Sequence, residues 1–186
     1  MTSLLPALLL ALAPQAPADT VQPPTVVVVR HAEKADASRD PSLSEAGRAR
    51  ALALDSALAD ARVTAVIVTP YRRNAETAAP VAARHGLTPI VVPVSGGVDT
   101  HAAAVTAEAM RHGGTVLVVG HSNTVGAIVA ALGGSGDVGD LCESAYQWMF
   151  LVRPAPPEGG AAMTVRGRYG AADPPEAAGC GGMSPR

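Results

Sequence analysis

Two short apolar runs rich in valine constrain the fold of this chain more than any other feature of its sequence. Residues 25–29 lead directly into Arg30 and His31, and residues 115–119 lead through a glycine into His121. Runs of this length and β-branched content are typical of buried parallel strands. Because ligands bind beyond the carboxyl ends of the strands in open α/β sheets, we expect both imidazoles at an edge where binding sites form.

Strand and helix patterns alternate along the rest of the chain. Apolar runs predict two further buried strands, at 63–68 and 90–94. Helical spacing of apolar residues predicts four helices, at 42–61, 71–85, 100–112 and 124–132. Segments 147–152 and 163–169 flank a Pro/Gly-rich loop and predict an antiparallel pair. This order predicts an α/β fold, a three-layer α/β/α domain with a mostly parallel sheet.

Three local signals refine the helix boundaries. Ser42 and Glu45 fit a capping box, which predicts Ser42 as the N-cap of the first helix. Pro80 lies inside the second predicted helix, where proline removes a backbone donor and favours an interruption. Gly86 is a typical stop for the same helix.

The two ends of the chain differ in composition from its middle. An apolar run over 4–13 is too short to span a membrane, and Ala16-Pro17-Ala18 has the A-x-A pattern of a cleavage site. We predict a signal peptide over 1–18, a domain over 19–170 and an irregular Pro/Gly-rich tail over 171–186. The protein is then expected to be exported, periplasmic or secreted, with no stable membrane association after cleavage.

The two cysteines and the charge balance limit the remaining possibilities. In an exported protein, Cys142 and Cys180 form either a disulfide or two free thiols. With 14 basic and 16 acidic residues, the net charge of −2 gives no overall field that would attract nucleic acid. Any anion site must therefore come from a local cluster of side chains.

Such a cluster follows three of the predicted strands. Arg30-His31 follows the first, residues 69–78 with Arg72 and Arg73 follow the second, and residues 120–124 follow the fourth. If these strands are neighbours, two imidazoles and a guanidinium pair meet in one pocket beside helix N-termini. Arginine forks and helix N-termini both favour phosphate oxygens, so the sequence predicts a phosphate site.

A neutral imidazole in that pocket can attack phosphorus if one ring nitrogen is held as N–H and the other faces the substrate. The arginines then stabilise the charge on the transferring group, and water hydrolyses the phosphohistidine. We expect no metal and no cofactor, because the arginines supply the positive charge and would repel a cation. Lys34, His85, His101 and His112 are expected at the surface.

Taken together, Arg30-His31-Ala32-Glu33, residues 69–78 and Gly120-His121-Ser122 resemble the histidine phosphatase superfamily. The resemblance is to branch 1, which includes cofactor-dependent phosphoglycerate mutases and phosphohistidine phosphatases, and it extends over about 26–132. It implies a phosphoglycerate mutase-like fold. It also makes His31 the nucleophile and His121 a second histidine in contact with the phosphate.

The same resemblance assigns the phosphate clamp to Arg30 and Arg73. Within the second motif, Thr69, Tyr71 and Asn74 depart from the family pattern, but the register still favours Arg73 over its neighbour. Ser122 and Asn123 are expected either to bind the phosphate or to cap the following helix.

The resemblance also implies a proton donor. Family members usually carry an acid between the second and third motifs, and Asp99, close to a strand end, is the preferred candidate. Glu33, beside the nucleophile, is the second choice, whereas Glu108 lies deep in a predicted helix. A phosphohistidine phosphatase needs no such acid, since a protonated imidazole is already a good leaving group.

The predicted function is therefore an exported, metal-independent phosphatase that hydrolyses a phosphomonoester through His31. A phosphohistidine phosphatase acting on proteins is the first alternative, and a phosphate-binding module without turnover is the second. A mutase is disfavoured by the short loops and by export. Because the loops at 34–41, 93–100 and 133–143 are small and short of aromatic residues, we expect an open pocket. Its partner is expected to be a phosphorylated small molecule or a cell-envelope phospho-sugar.

Overall fold

The computed structural model describes residues 22–135 and 138–175, so the predicted signal peptide and Cys180 lie outside the described residues. Within these residues there are six strands, β1 Thr25–Arg30, β2 Val63–Val68, β3 Ile90–Val91, β4 Thr115–Gly120, β5 Trp148–Arg153 and β6 Met163–Arg168. Four helices accompany them, α1 Glu45–Ala57, α2 Arg72–His85, α3 Val98–Ala109 and α4 Val125–Ala131. In this part of the chain no helix is both long enough and apolar enough to cross a membrane.

The strands form one sheet in the order β3-β2-β4-β1-β5-β6. The first four are parallel, and β5 and β6 add an antiparallel pair at one edge. In the pairing of β1 with β4, Arg30 lies opposite Gly120. His31 and His121 therefore follow two adjacent parallel strands at the same height, and the amide of His31 donates to the Gly120 carbonyl at 3.0 Å.

The alternating side chains of the central strands supply two separate cores. On one face Val26 and Val28 pack with buried residues of α3 and α4. On the other face Val27 and Val29 pack with buried residues of α1 and α2. A strand that is apolar on both faces must be covered by helices on both sides. The predicted three-layer α/β/α architecture is confirmed.

The first helix begins later than its sequence predicts. The N-cap is Ser44, whose hydroxyl accepts from the Gly47 amide at 3.0 Å. Ser42 was the wrong choice because Leu43, next to it, pairs with Lys34 in an extended bridge. Gly47 allows this start, since a Cβ at that position would lie 2.3 Å from the Glu33 carbonyl oxygen.

Other boundaries shift for local reasons. Helix α2 continues through Pro80, because its buried face packs on the sheet and outweighs the missing backbone donor. Gly86 ends it in the left-handed conformation with φ 65°, as predicted. Strand β3 has two residues rather than five, because Val92 makes the last bond to Val68 and Pro93 has no amide hydrogen to continue the ladder.

The segment after β6 belongs to the folded body up to at least Asp173. Arg50, buried in α1, donates to the carbonyls of Tyr169 and Ala171, both at 3.0 Å. The carboxylate of Asp173 lies 3.4 Å from Arg50 and accepts from the amides of Tyr146 and Gln147. Part of the predicted irregular tail therefore ties α1 to the segment before β5.

Candidate active site

A cavity of about 260 Å³ lies beyond the carboxyl ends of β1 and β4. We call it the histidine cavity. Its walls are formed by Arg30, His31, Lys34, Tyr71, Arg73, Val94, His121, Ser122, Asn123 and Glu143. Its volume is just below the roughly 300–1,000 Å³ of pockets for drug-sized ligands, so it suits a small group such as phosphate.

His31 is 3 % exposed and is held as one tautomer. Its Nδ1 lies 2.8 Å from the carbonyl oxygen of Ala32, which can only accept, so Nδ1 carries the proton. The lone pair on Nε2 is then free for the cavity. The amide of Ala32 donates to Thr77 Oγ1 at 2.9 Å, and that hydroxyl donates to the Arg73 carbonyl at 2.7 Å. The loop that carries His31 is thus fixed to α2.

His121 has the opposite tautomer. A guanidinium nitrogen of Arg73 lies 3.4 Å from Nδ1 and can only donate, so Nδ1 is the acceptor. The Nε2 hydrogen is then directed to Thr69 Oγ1, 3.0 Å away. The two imidazole rings meet edge-on with centroids 5.5 Å apart.

Burial keeps both imidazoles uncharged. It lowers the pKa of His31 to about 3; the bond to the Ala32 carbonyl opposes this shift, and the Arg30 guanidinium adds to it. Burial also lowers the pKa of His121 to about 4, with Arg73 as the next largest cause. Both rings are therefore neutral near pH 7, as a nucleophilic nitrogen requires.

These shifts predict how stability depends on pH. Unfolded histidine has a pKa near 6.5, so as the pH falls below about 6.5 the unfolded chain binds protons before the folded one. The free energy of unfolding is then constant above pH 7 and falls from pH 6.5 toward pH 4, by on the order of 1 kcal/mol per pH unit for each histidine. Urea unfolding at pH 7, 6 and 5 measures this slope.

The matched variant for that measurement is His31→Asn, which should show a smaller slope over the same range. An equal slope in the variant would mean that His31 is not held neutral. The window stops at pH 5 because carboxylates such as Asp55, whose pKa is lowered by Arg84, begin to contribute below it.

Arg73 offers hydrogen-bond donors that nothing in the described chain accepts. Its guanidinium is 13 % exposed, and both Nε and Nη1 are buried without a hydrogen-bond partner among the described residues. The nearest carboxylate, Asp40, is 3.8 Å from Nη1. The group also lies over the Tyr71 ring, 4.4 Å from its centroid. Open donors on a buried cation beside both histidines are suited to phosphate oxygens.

The guanidinium of Arg30 already makes several hydrogen bonds to the protein itself. Its Nη1 donates to the carbonyls of Cys142 and Ala145, at 2.6 and 3.2 Å, and its Nη2 donates to the Glu143 carboxylate at 2.9 Å. The guanidinium also stacks on Tyr146, 4.2 Å from the ring centroid. Arg30 thus fixes the segment before β5, and its role as a clamp stays a prediction.

Glu143 is a cavity residue that the sequence reasoning missed. Its carboxylate lies 3.7 Å from the ammonium of Lys34, which lines the cavity instead of lying away from it in solvent as expected. No sequence signal marks Glu143, because it lies in an irregular segment without a motif. Arg30 brings it to the site through contacts more than 100 residues apart in the chain.

The predicted acids lie elsewhere in the structure. Asp99 is exposed in the first turn of α3 and is not among the residues that line the histidine cavity. The Glu33 carboxylate pairs with Arg50 at 2.7 Å and also lies outside that lining. Neither contacts the histidines in this structure, so the assignment of a proton donor stays a prediction.

Other predicted positions are clarified by the structure. Ser122 and Asn123 line the cavity, and Thr124, not either of them, is the N-cap of α4. Arg72 is exposed outside the cavity and donates to Ser42 at 2.6 Å.

Two expectations away from the cavity are also resolved. His101 is 1 % exposed, so its expected surface position is wrong. Cys142 is disulfide-bonded, and the other cysteine, Cys180, lies outside the described residues.

The three residues that depart from the second motif have structural tasks. Thr69 accepts from His121, and Tyr71 packs edge-on against the same ring with centroids 5.3 Å apart. The side-chain Nδ2 of Asn74 donates to the backbone carbonyls of Val119 and Gly120, at 2.8 and 3.1 Å. The first turn of α2 is thereby fixed to the end of β4. Arg73 is directed into the cavity by this anchor.

The fold and this cavity define a class of protein. A buried neutral imidazole with a free Nε2, a second imidazole and a cation with open donors are the groups that a histidine-type phosphatase needs. Among the described residues, no three His, Cys, Asp or Glu side chains converge to hold a metal ion.

Comparisons with known proteins find a similarity to one family. Residues 26–94 match the model of the histidine phosphatase superfamily, branch 1. Over 45 residues the chain is 56 % identical to the uncharacterized protein Rv0525 of Mycobacterium tuberculosis (strain ATCC 25618 / H37Rv), a match that covers 24 % of this chain and 22 % of that protein. The match thus spans less than a quarter of that relative's length. The similarity to the histidine phosphatase superfamily, branch 1, thus extends over less than half of the chain.

Solved structures share the fold. The protein histidine phosphatase SixA complexed with tungstate superposes with a TM-score of 0.61 at 21 % identity, covering 77 % of this chain and 96 % of that one. A mycobacterial glucosyl-3-phosphoglycerate phosphatase, Rv2419c, gives a TM-score of 0.54 at 17 % identity, covering 69 % and 89 %. At these identities the likeness concerns the fold alone.

Proposed function

We propose that this protein is a metal-independent phosphatase that transfers a phosphoryl group to Nε2 of His31 and then to water. One observation carries the proposal. The Nδ1 hydrogen of His31 is held by the Ala32 carbonyl, so a neutral, unprotonated Nε2 faces a cavity whose walls include the guanidinium of Arg73. A fixed nucleophile beside unused cationic donors suits phosphoryl transfer.

The proposed reaction has two displacements at phosphorus. Nε2 forms a bond to phosphorus while the bond from phosphorus to the leaving atom breaks, and the leaving group takes that electron pair. The Nδ1 hydrogen bond to Ala32 stabilises the imidazolium charge that develops on His31. A water then attacks the same phosphorus, its proton passes to solvent, and Nε2 leaves with its lone pair. Arg73 supports the phosphate oxygens in both steps.

The need to protonate the leaving group bears on which substrate is favoured, and it supports phosphohistidine as a second candidate. Glu143 is the one carboxylate in the described lining of the histidine cavity. Burial would raise its pKa, but Arg30 and Lys34 outweigh that effect and hold the pKa below its usual value, which makes it a poor acid. Leaving groups that need no proton from the protein are then favoured. These include the imidazole of phosphohistidine on a protein and aryl oxides.

The cellular setting of the activity is proposed from the sequence. The apolar run and A-x-A pattern of residues 1–18 support export, and an exported enzyme would meet phosphorylated small molecules or cell-envelope phospho-sugars. A binding module without turnover is the competing proposal, and it predicts that phosphate binds while no phosphoryl group reaches His31.

Trapping the covalent intermediate tests the proposal. The purified protein is mixed with an aryl phosphate, quenched in alkali within milliseconds to seconds, and digested for mass spectrometry, in the presence and absence of EDTA. We expect a phosphoryl adduct on the peptide that contains His31 and equal turnover with EDTA. An adduct on another residue, or turnover lost in EDTA and restored by a metal, would contradict the mechanism.

A further inference from the structure

A second cavity of about 360 Å³ lies beside the histidine cavity. It is lined by Arg39, Asp40, Pro70, Tyr71, Pro93 and Val94, and we call it the side cavity. Tyr71 and Val94 belong to the walls of both cavities. We infer that the side cavity is the leaving-group subsite of this enzyme and that it accepts an uncharged planar ring. This inference rests on the proposed phosphatase function.

The position of the shared walls supports this role. A phosphate held by Arg73 and the histidines lies next to Tyr71, because the Tyr71 ring is 5.3 Å from the His121 ring and 4.4 Å from the Arg73 guanidinium. A group attached to that phosphate must leave the histidine cavity along one of its flanks. One flank passes Tyr71 and Val94 into the side cavity.

Another part of the wall of the histidine cavity is charged. Lys34 and Glu143 lie there with 3.7 Å between their charged atoms, and Glu143 is paired with Arg30. An uncharged ring placed among these groups would displace water from them without replacing its hydrogen bonds. The charged flank therefore disfavours such a ring, and the side cavity is the alternative route.

The chemistry of the side cavity suits a ring. Pro70, Pro93 and Val94 offer uncharged surface, and Tyr71 adds an aromatic ring against which a planar group can stack. Of the two charged residues in its lining, Arg39 is exposed, and the Asp40 carboxylate accepts from the backbone amide of Arg72 at 2.9 Å. A cavity of roughly 150 Å³ is enough for benzene, so the side cavity has room for one aromatic ring.

The wall formed by Pro93 and Val94 is held in place from behind. His101, buried in α3, has Nδ1 at 3.0 Å from the Pro93 carbonyl oxygen, to which it donates. An isolated surface loop would lose conformational freedom on binding a ligand, whereas a tethered wall loses less. His101 thus acts as a positioning residue for the side cavity.

Two phosphonates that cannot be hydrolysed test the subsite, phenylphosphonate and methylphosphonate. They share the phosphoryl head and differ in the ring, and calorimetry measures their binding without any turnover. We expect phenylphosphonate to bind about tenfold more tightly, the effect of burying part of an aromatic ring. Equal dissociation constants would overturn the subsite while leaving the phosphoenzyme test unaffected.

Variants locate the effect. In Val94→Asp we expect the affinity ratio to fall close to one, because a carboxylate at the shared wall repels the phosphonate of both ligands alike but removes apolar contact only from the ring. Val94→Ala, a milder change at the same site, should lower the ratio by about twofold. Val165→Asp is the control, since Val165 is similarly exposed, on β6, and lines neither cavity. A ratio that stays tenfold in both Val94 variants would overturn the assignment.

Discussion

Replacing His31 by alanine is expected to lower kcat for an aryl phosphate by about 10⁴-fold or more, the scale on which enzymes lose rate when a covalent nucleophile is removed. The reason is that no other nitrogen in the cavity has a free lone pair. In His121, Nδ1 accepts from Arg73 and Nε2 is directed to Thr69. Steady-state kinetics with the wild-type and variant proteins measure the loss.

The control for that variant is His112→Ala. His112 follows α3, is half-buried, pairs with Glu108 and lies outside the lining of the histidine cavity, so its loss should change kcat less than about threefold. A Tm close to that of the wild type, together with retained binding of inorganic phosphate, would show that His31→Ala folds. Hydrolysis within tenfold of the wild type in a folded His31→Ala protein would rule out the covalent mechanism.

Arg73→Gln is expected to lower kcat/KM by about 10²–10³-fold, or roughly 3–4 kcal/mol of transition-state stabilisation. The Arg73 guanidinium lines the cavity, and two of its buried nitrogens have no hydrogen-bond partner among the described residues. Those donors gain partners only when phosphate oxygens arrive. Arg73→Lys keeps the charge but loses the fork, so we expect it to recover a minor part of the loss.

Arg72→Gln is the matched control, because Arg72 is the adjacent residue, is exposed and donates to Ser42 outside the cavity. Its kcat/KM should stay within about threefold of the wild type. The Arg73→Gln protein should also be no less stable than the wild type, since a buried cation with unpaired donors costs stability. Equal losses at both positions would mean that neither arginine is specific for the phosphate.

The chain's regular parts were predictable because their signals are local. The valine runs that become β1 and β4 are apolar on both faces, and this alone predicts covered central strands. Once those strands are neighbours, the residues that follow them must meet, which explains why His31 and His121 were found together. The choice of Arg73 over Arg72 came from the motif register, and the structure places Arg73 in the cavity wall.

What sequence reasoning missed depends on contacts between distant segments. Glu143 carries no motif and reaches the cavity only because Arg30, buried at the end of β1, gathers the carbonyls of the segment before β5. Ser44 rather than Ser42 caps α1 because a two-residue bridge and the close approach of Gly47 to Glu33 set where the helix can begin. No periodicity in the sequence encodes either contact.

The contacts of Arg50 have a consequence for the order in which the molecule can be completed. This buried guanidinium joins Glu33, two residues after the nucleophile, to Asp173, which in turn holds the amides before β5. A growing chain that has not yet reached Asp173 has the cation but lacks part of its neutralising charge, and a buried charge without its partners is costly. The loop that carries His31 is synthesised early in the domain, but the contacts that hold it are completed only after Asp173 has been synthesised.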